Sequence, residues 1–162
     1  MLIGKRNLSV TLKWIRPLLL GLSLTFLSGC AISPLDESDP DPSLNWCPPL
    51  LNCVSTEAVS FLHSIDEFEL IKPVNEAWPD ILAAVSSLPR TEIKYQYEGY
   101  LYAKSYSSVF QFVDYLEVLY VAEENHLSVR SSSMLGLLDF FVNYFRTESL
   151  RERLVERGVI RP

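Results

Sequence analysis

Apolar and polar residues alternate along much of the second half of the chain, as they do in β-strands with one buried face. Alternating runs cover 93–97 and 100–106, and Gly99 between them indicates a turn or a bulge. Aromatic and β-branched residues fill 112–122, and a further strand is predicted at 126–132, after a Glu-Glu-Asn turn. Because the connections between these strands are short, antiparallel pairing is expected.

Two segments have the spacing of amphipathic helices instead. In the first, which begins at about residue 75 or 78 and ends at 88, the apolar residues share one face and Pro79 fits the first turn. The second is predicted from about 139 to 157, because Asp139 can cap its start and Gly158 can end it.

The remaining segment, 54–70, has apolar positions without a clear period, so only a short strand near 68–71 is predicted at its end. These elements together predict an α+β fold, in which a small antiparallel sheet of three to five strands has two principal helices packed on it. A single domain is expected over residues 46–162.

The first 29 residues have the three parts of a secretory signal peptide. Basic residues precede an apolar run at 18–27, and the small residues Ser28 and Gly29 precede Cys30, as in a bacterial lipoprotein signal. The run is about ten residues long, whereas a span takes roughly 20, so cleavage is favoured over an uncleaved N-terminal anchor. Cys30 is then the lipidation site and carries fatty acyl chains such as palmitate.

Residues 30–45 are predicted to be the lipidated cysteine and a disordered tether, because prolines and acidic residues dominate them. The expected location is the cell envelope, with the protein anchored by lipid. Ala31 after the cysteine resembles the signal for the outer membrane, so in a Gram-negative cell the domain would face the periplasm.

The charge of the chain restricts its partners. The sequence has 14 Lys and Arg against 20 Asp and Glu, and cleavage after Gly29 removes four basic residues and no acidic ones. The mature chain then has a net charge near −10, which argues against nucleic acid as a partner. The membrane contact is therefore expected through the acyl chains on Cys30, and a possible further partner is an envelope protein or an apolar ligand.

Cys47 and Cys53 remain as an isolated pair, which outside the cytoplasm predicts a disulfide bond. A metal site is the alternative, but His63 and His126 do not have ligand spacing to these cysteines. A reduced or redox-active pair would be a third possibility, although the chain has no Cys-x-x-Cys motif. Neither a cofactor nor a metal ion is predicted.

Polar residues prolong the apolar stripe of the second helix toward its N-terminus. A buried arginine needs a partner, and Asp139 lies seven residues before Arg146, two turns along the same face of the helix. Acidic and basic residues of the neighbouring strands could join this group. We interpret the group as a structural polar cluster that sets strand register and helix docking, with an anion-binding or catalytic pocket and a water-facing group as alternatives. Its candidate members are Asp114, Arg130, Asp139, Asn143 and Arg146.

Two other patterns bear on function. Serines 131–133 suggest a nucleophile, but His126 is too close along the same strand to act as its base and no Gly-x-Ser-x-Gly motif is present, so no catalytic residue is predicted.

Tyrosines crowd two adjoining strands and predict either a cross-strand ladder or an apolar surface for a ligand or partner. They are Tyr95, Tyr97, Tyr100, Tyr102 and Tyr106.

Four segments resemble the domain-of-unknown-function family 1499 (DUF1499), and the resemblance covers about 46–154. They are the cysteine pair at 47–55, the helix at 78–89, the triplet 112–114, and 130–133 with the polar residues that follow. The last segment is similar to the family pattern Arg-Ser-x-Ser-Arg-x-Gly, which is followed by Asp, Asn and basic residues.

This chain departs from the family pattern at several positions. Met134 stands where the family usually has Arg, and Tyr115 where a second Asp often follows. Phe141 and Tyr144 replace a Gly and a basic residue. The resemblance implies the fold and the anchoring, and it implies no reaction because the family has no established activity.

We therefore predict a membrane-anchored envelope lipoprotein that acts as a non-catalytic binding or structural module. The alternative is an enzyme with a polar Asp/Asn/Arg cleft.

Overall fold

The computed structural model describes residues 34–35, 38, 42–107, 111–134, 139 and 141–162. The predicted signal peptide and Cys30 lie outside these residues. The described ranges contain six strands and two helices. In chain order they are β1 Cys53–Ser55, β2 Phe68–Glu69, α1 Val74–Ser86, β3 Thr91–Tyr97, β4 Tyr100–Tyr106, β5 Val113–Val121, β6 His126–Ser133 and α2 Val142–Glu156.

The strands form one antiparallel sheet in the order β1-β6-β5-β4-β3. Strand β2 also pairs with β6, beyond the end of β1. Ser55 of β1 lies opposite Arg130, and Phe68 of β2 lies opposite Leu127, so the two short strands follow each other along the same edge of β6.

The predicted strand count is wrong, because the sheet has six strands within the described residues rather than three to five. The α+β class and the two helices agree with the prediction. β1 and β2 are only three and two residues long, so neither can show the period-two alternation that identifies a strand from sequence. The short strand expected near 68–71 corresponds to β2, whereas β1 has no counterpart among the predicted strands.

One face of the sheet carries the main apolar core, on which both helices pack. Because side chains alternate along a strand, every second residue of β4, β5 and β6 points to this face. Helix α1 contributes Ile81 and Val85, and α2 contributes Leu150 and Leu154, all fully buried. The strand residues they cover are Leu101, Ala103, Leu116, Val118, Leu127 and Val129.

The helix starts differ from the predicted ones. α1 begins at Val74, one residue before the earlier of its two predicted starts, so Pro79 lies inside the helix rather than in its first turn. α2 begins at Val142 rather than Asp139, because Phe141 has the left-handed backbone conformation with φ of 65°. The Asp139 carboxylate still satisfies the start of α2, since it accepts the backbone N–H groups of Phe141 at 3.0 Å and Asn143 at 2.9 Å.

The opposite face of the sheet is aromatic. Tyr100, Tyr102 and Tyr115 are buried there, and the rings of Tyr102 and Tyr115 stack with their centroids 5.6 Å apart. Leu44 is also buried against these residues, and Leu35 packs on them. β5 is therefore covered on both faces, which explains why its sequence is apolar at nearly every position.

Candidate functional site

A disulfide bond joins Cys47 to Cys53, as predicted, with 5.5 Å between the two Cα atoms. It ties the segment before β1 to the strand itself. His63 is buried and its Nδ1 atom lies 2.9 Å from the carbonyl oxygen of Cys53, so this histidine supports the same corner of the fold. Among the residues that the structure describes, no group of His, Cys, Asp and Glu is arranged to hold a metal ion.

The predicted polar residues meet where the N-terminal turn of α2 crosses the ends of β5 and β6. Asp114 projects from β5 opposite Ser133 of β6, and its carboxylate forms an ion pair with the Arg146 guanidinium. The Nη1 atom of Arg146 also donates to Ser131 Oγ at 2.9 Å and to Asn143 Oδ1 at 2.6 Å. Most of the Arg146 side chain is buried, with 11% of its surface exposed.

Asn143 is at the centre of this group and is fully buried. Its Oδ1 atom accepts a hydrogen bond from Ser131 Oγ at 2.7 Å. Its Nδ2 atom lies 3.0 Å from both the Asn52 carbonyl oxygen and Ser133 Oγ, and it also donates to the Asp139 carboxylate. One amide therefore connects α2, β6 and the segment that precedes β1.

We call Asp114, Ser131, Ser133, Asp139, Asn143 and Arg146 the polar cluster. The local sequence explains its assembly. Ser131 and Ser133 are two apart on β6 and therefore point to the same face, toward the helices. Asn143 and Arg146 are three apart on α2 and therefore lie on the same side of the helix. Four of the five predicted candidates are brought together in this way.

Arg130, the fifth candidate, lies on the other face of the sheet because it precedes Ser131 by one position. Its Nη1 atom is 3.0 Å from a carboxylate oxygen of Glu117, the residue opposite it on β5. The hydroxyl of Tyr100 donates to the other oxygen of Glu117 at 3.0 Å. Arg130 and Glu117 are 3% and 0% exposed, so this ion pair is part of the aromatic face and is separate from the polar cluster.

Burial dominates the electrostatics of this pair. It raises the pKa of the Glu117 carboxyl above its ordinary value, although the charge of Arg130 and the Tyr100 hydroxyl act in the opposite direction. Burial, with the nearby Glu117 carboxylate as a second cause, raises the pKa of Tyr100 as well. The tyrosine is therefore a hydrogen-bond donor throughout the neutral range.

The raised pKa of Glu117 predicts a pH dependence of stability. The native state holds this proton more tightly than the unfolded state, so the free energy of unfolding falls as pH rises from about 4.3 through the raised pKa. Glutamine cannot bind this proton, so the free energy of unfolding of the wild type should fall relative to that of Glu117→Gln as pH rises through that window. Urea unfolding at a series of pH values measures it, and a difference that stays constant with pH would contradict the prediction.

The tyrosines of β3 and β4 divide between the two predicted roles. Tyr100 and Tyr102 are buried and packed in the aromatic face, as in a cross-strand ladder. Tyr97 and Tyr106 are half-buried, and Tyr95 is 37% exposed. Most of the ring area thus lies inside the fold. The ring area that is left for contact with a ligand or partner lies at the outer edge of these strands.

Sequence reasoning missed some residues of these sites. Ser131 and Ser133 suggest nucleophiles by residue type, whereas in the structure they supply hydrogen-bonding hydroxyls to the polar cluster. Glu117 interrupts an apolar strand, and its pairing with Arg130 is not among the predictions. A charged residue at a position that is otherwise apolar on both faces is the signal that could have identified it.

The comparisons with known proteins identify the chain at the level of family. Among the residues that the structure describes, no helix has the length and apolar character needed to cross a membrane. No curated protein matches the chain. The family model described as protein of unknown function (DUF1499) matches residues 43–154, which include the disulfide, α1, most of α2 and the polar cluster, and the chain therefore belongs to the DUF1499 family.

Proposed function

We propose that this protein is an envelope lipoprotein, anchored in a membrane by acyl chains on Cys30, whose domain acts as a binding or structural module without catalysis. The supporting feature for the anchor is the N-terminal sequence, in which basic residues, a short apolar run and Ser28-Gly29-Cys30 follow each other. In a two-membrane cell the proposed location is the outer membrane, with the domain in the periplasm.

The observation that carries the non-catalytic role is the closure of the polar cluster. The two Nη atoms of Arg146 are occupied by Asp114, Ser131 and Asn143. Asn143 itself is fully buried. A charged group that binds substrate needs unsatisfied hydrogen-bonding capacity directed at an open cleft, whereas these groups are directed at each other. Their arrangement supports a role in docking α2 against the sheet.

The alternative proposal, an enzyme with an Asp/Asn/Arg cleft, requires the same groups to line a cleft that is open to solvent. Two shallow grooves of the described surface lie beside Trp78 and Tyr97 and beside Ile71 and Tyr120. Neither groove is lined by a member of the polar cluster. The geometry therefore favours the structural interpretation of these residues.

The anchor is tested by metabolic labelling with an alkyne analogue of palmitate, followed by mass spectrometry of the N-terminal peptide. The wild-type protein is expected to lose residues 1–29, to carry acyl chains on Cys30 and to sediment with membranes. Cys30→Ala should abolish the label completely, because the acyl chains are attached through that sulfur.

The matched control is the double variant Cys47→Ala, Cys53→Ala, which removes two cysteines and leaves Cys30 in place. It should keep the label in full even if the loss of the disulfide lowers its stability. Recovery of a full-length, unmodified wild-type chain from the cytosol would contradict the proposal.

A further inference from the structure

Large apolar side chains are exposed at one end of the sheet. Trp46 is 74% exposed, Phe141 72%, Phe145 63%, Leu51 46% and Val142 45%. We call these five residues the apolar rim. Single exposed apolar residues are normal on soluble domains, whereas a group of them at one place marks an interaction surface.

Hydrogen bonds and the disulfide place the rim residues together. Trp46 precedes Cys47, which is bonded to Cys53 at the start of β1. The carbonyl oxygen of Leu51 accepts the backbone N–H of Asp139 at 3.2 Å, just before Phe141 and the start of α2. The segment before β1 and the first turn of α2 therefore form one continuous part of the surface.

The rim is not an outer layer of the main core. The core-facing side of α2 is formed by Asn143, Thr147, Leu150 and Leu154, and Phe145 projects about 200° away from Asn143 around the helix. Phe141 lies four residues before Phe145, directly before the helix, and most of its side chain is exposed. These rings point away from the sheet, so packing within the domain does not account for them.

Phe141 also adopts a backbone conformation that is unfavourable for its side chain. Its φ of 65° lies in the left-handed region, which glycine occupies without penalty and an aromatic residue does not. A strained and exposed aromatic residue lowers the stability of the isolated domain. Its presence is explained when the ring has a role outside the domain.

The opposite end of the sheet exposes acidic residues instead of apolar ones. The turn between β3 and β4 and the turn between β5 and β6 lie there, and they expose Glu98, Glu123 and Glu124. Acidic side chains are repelled by the anionic surface of a membrane. If the domain lies against a bilayer, this difference favours an orientation with the rim toward the lipid.

The N-terminal segment limits how far the domain can stand from its anchor. The backbone N–H of Leu35 donates to the Tyr100 hydroxyl at 3.2 Å, and Leu44 is buried on the same aromatic face. Leu35 is five positions after Cys30, which corresponds to at most about 17 Å of fully extended chain. The length of the chain therefore sets an upper limit on the distance between a lipid on Cys30 and Leu35, and the chain reaches Trp46 of the rim soon after Leu44.

We infer that the apolar rim is the surface with which the domain rests on the bilayer that holds its acyl anchor. This inference rests on the proposed lipidation of Cys30. Tryptophan and phenylalanine suit the interfacial region, where their rings leave water while the backbone stays hydrated. The lipid anchor provides the affinity for the membrane, and the rim sets the orientation of the domain on it.

Trp46 is a built-in probe for this contact. After cleavage of the leader the chain retains Trp46 and Trp78, and Trp78 is only 9% exposed. The acylated protein is reconstituted in phosphatidylcholine vesicles with or without bromine atoms on the acyl chains. Brominated lipid should quench the Trp46 emission, which is isolated by subtraction of a Trp46→Phe sample. Iodide in the water should quench the Trp46 emission of the vesicle-bound acylated protein less than that of the Cys30→Ala protein in detergent-free solution.

The rim variant for this test combines Phe141→Gly with Phe145→Ser. Glycine relieves the backbone strain at 141, so the fold should be retained, and a thermal melt by circular dichroism checks this. Quenching of Trp46 by brominated lipid should fall in this variant. Phe61→Ser is the matched control, because Phe61 is 84% exposed but belongs to the loop beyond the other end of β1, and it should leave the quenching unchanged.

The outcomes separate the inference from the proposed function. Acylated protein that floats with vesicles but shows no lipid quenching of Trp46 would overturn the rim contact and leave the anchor intact. Protection of Trp46 in native envelopes but not in pure lipid would also overturn it, because a protein would then cover the rim. Absence of acyl chains and of flotation would overturn the anchor, and the rim contact with it.

Discussion

Replacing Arg130 by methionine is expected to lower the free energy of unfolding by about 3–5 kcal/mol. The Glu117 carboxylate is fully buried, and Arg130 and the Tyr100 hydroxyl are its partners in the ion-pair network. Methionine fills much of the same space but removes the positive charge. The carboxylate is then left without a counter-charge in the aromatic face, which is the costly part of breaking a buried pair.

The double variant Glu117→Met, Arg130→Met is the control for this prediction. It removes both charges and keeps apolar volume, so its stability should be close to that of the wild type or above it. The Nε atom of Arg130 strengthens this expectation, because it is buried and has no hydrogen-bond partner in the described structure. The single variant Glu117→Met should be at least as unstable as Arg130→Met, since a guanidinium cannot lose its charge by releasing a proton.

A pH series distinguishes this mechanism from a simple loss of packing. In Arg130→Met, Glu117 can become neutral by binding a proton, and loss of the arginine raises its pKa further. The stability gap to the wild type should therefore narrow as pH falls toward the ordinary pKa of a glutamate. Urea unfolding followed by circular dichroism measures the gap, and a gap that does not change with pH would show that packing, not charge, carries the effect.

The alternation of apolar and polar residues is sufficient to predict β3, β4, β5 and β6 to within about two residues of their observed ends. Each of these strands is at least seven residues long, so several periods are visible in the sequence. β1 shows no such pattern, because its three residues are all buried. Its place in the sheet comes from pairing with β6, which is a non-local interaction.

The partner of Arg130 depends on the register between β5 and β6, which residue types alone do not reveal. Val121 pairs with His126 across the turn, and this pairing places Glu117 opposite Arg130. The turn length fixes the register of a hairpin, so a firm assignment of the turn would have predicted the ion pair and also the separation of Arg130 from Ser131 on opposite faces. Without that register, charge alone groups Arg130 with Asp114.

The apolar rim is not visible in the periodicity of the sequence. Phe141 and Phe145 lie in a segment where nearly every residue is apolar or aromatic, so the pattern within that segment does not distinguish an outward ring from a buried one. Helical spacing does identify Leu150, Leu154 and the polar residues before them. The outward direction of the two rings follows only once Asn143 is placed against β6.

Replacing Asn143 by alanine is expected to destabilise the protein by about 3 kcal/mol. Its amide bonds to β6, to the segment before β1 and to the first turn of α2 at once. Alanine leaves the Ser131 hydroxyl and part of the Arg146 guanidinium with fewer partners in a site that water reaches poorly. Each buried polar group that loses its partner adds about 1–3 kcal/mol, so the sum exceeds the effect of one ordinary hydrogen bond.

Ser133→Ala is the matched control, because it removes one contact of the same amide and leaves its others in place. It should lower the free energy of unfolding by only about 1 kcal/mol. Asp139→Asn tests the capping contact in the same way and should also lower the melting temperature, since a charged acceptor at the start of α2 becomes neutral. Urea unfolding of all three variants provides the comparison.

The contrast between these variants also bears on what the polar cluster does. If Asn143 joins α2 to the sheet, its loss should unfold the domain at lower urea concentration while leaving acylation at Cys30 unchanged, because the two depend on separate parts of the chain. A variant with wild-type stability would mean that water or another group replaces the amide, and hence that the cluster is open. That result would contradict the closed geometry and would favour a binding cleft at this end of α2.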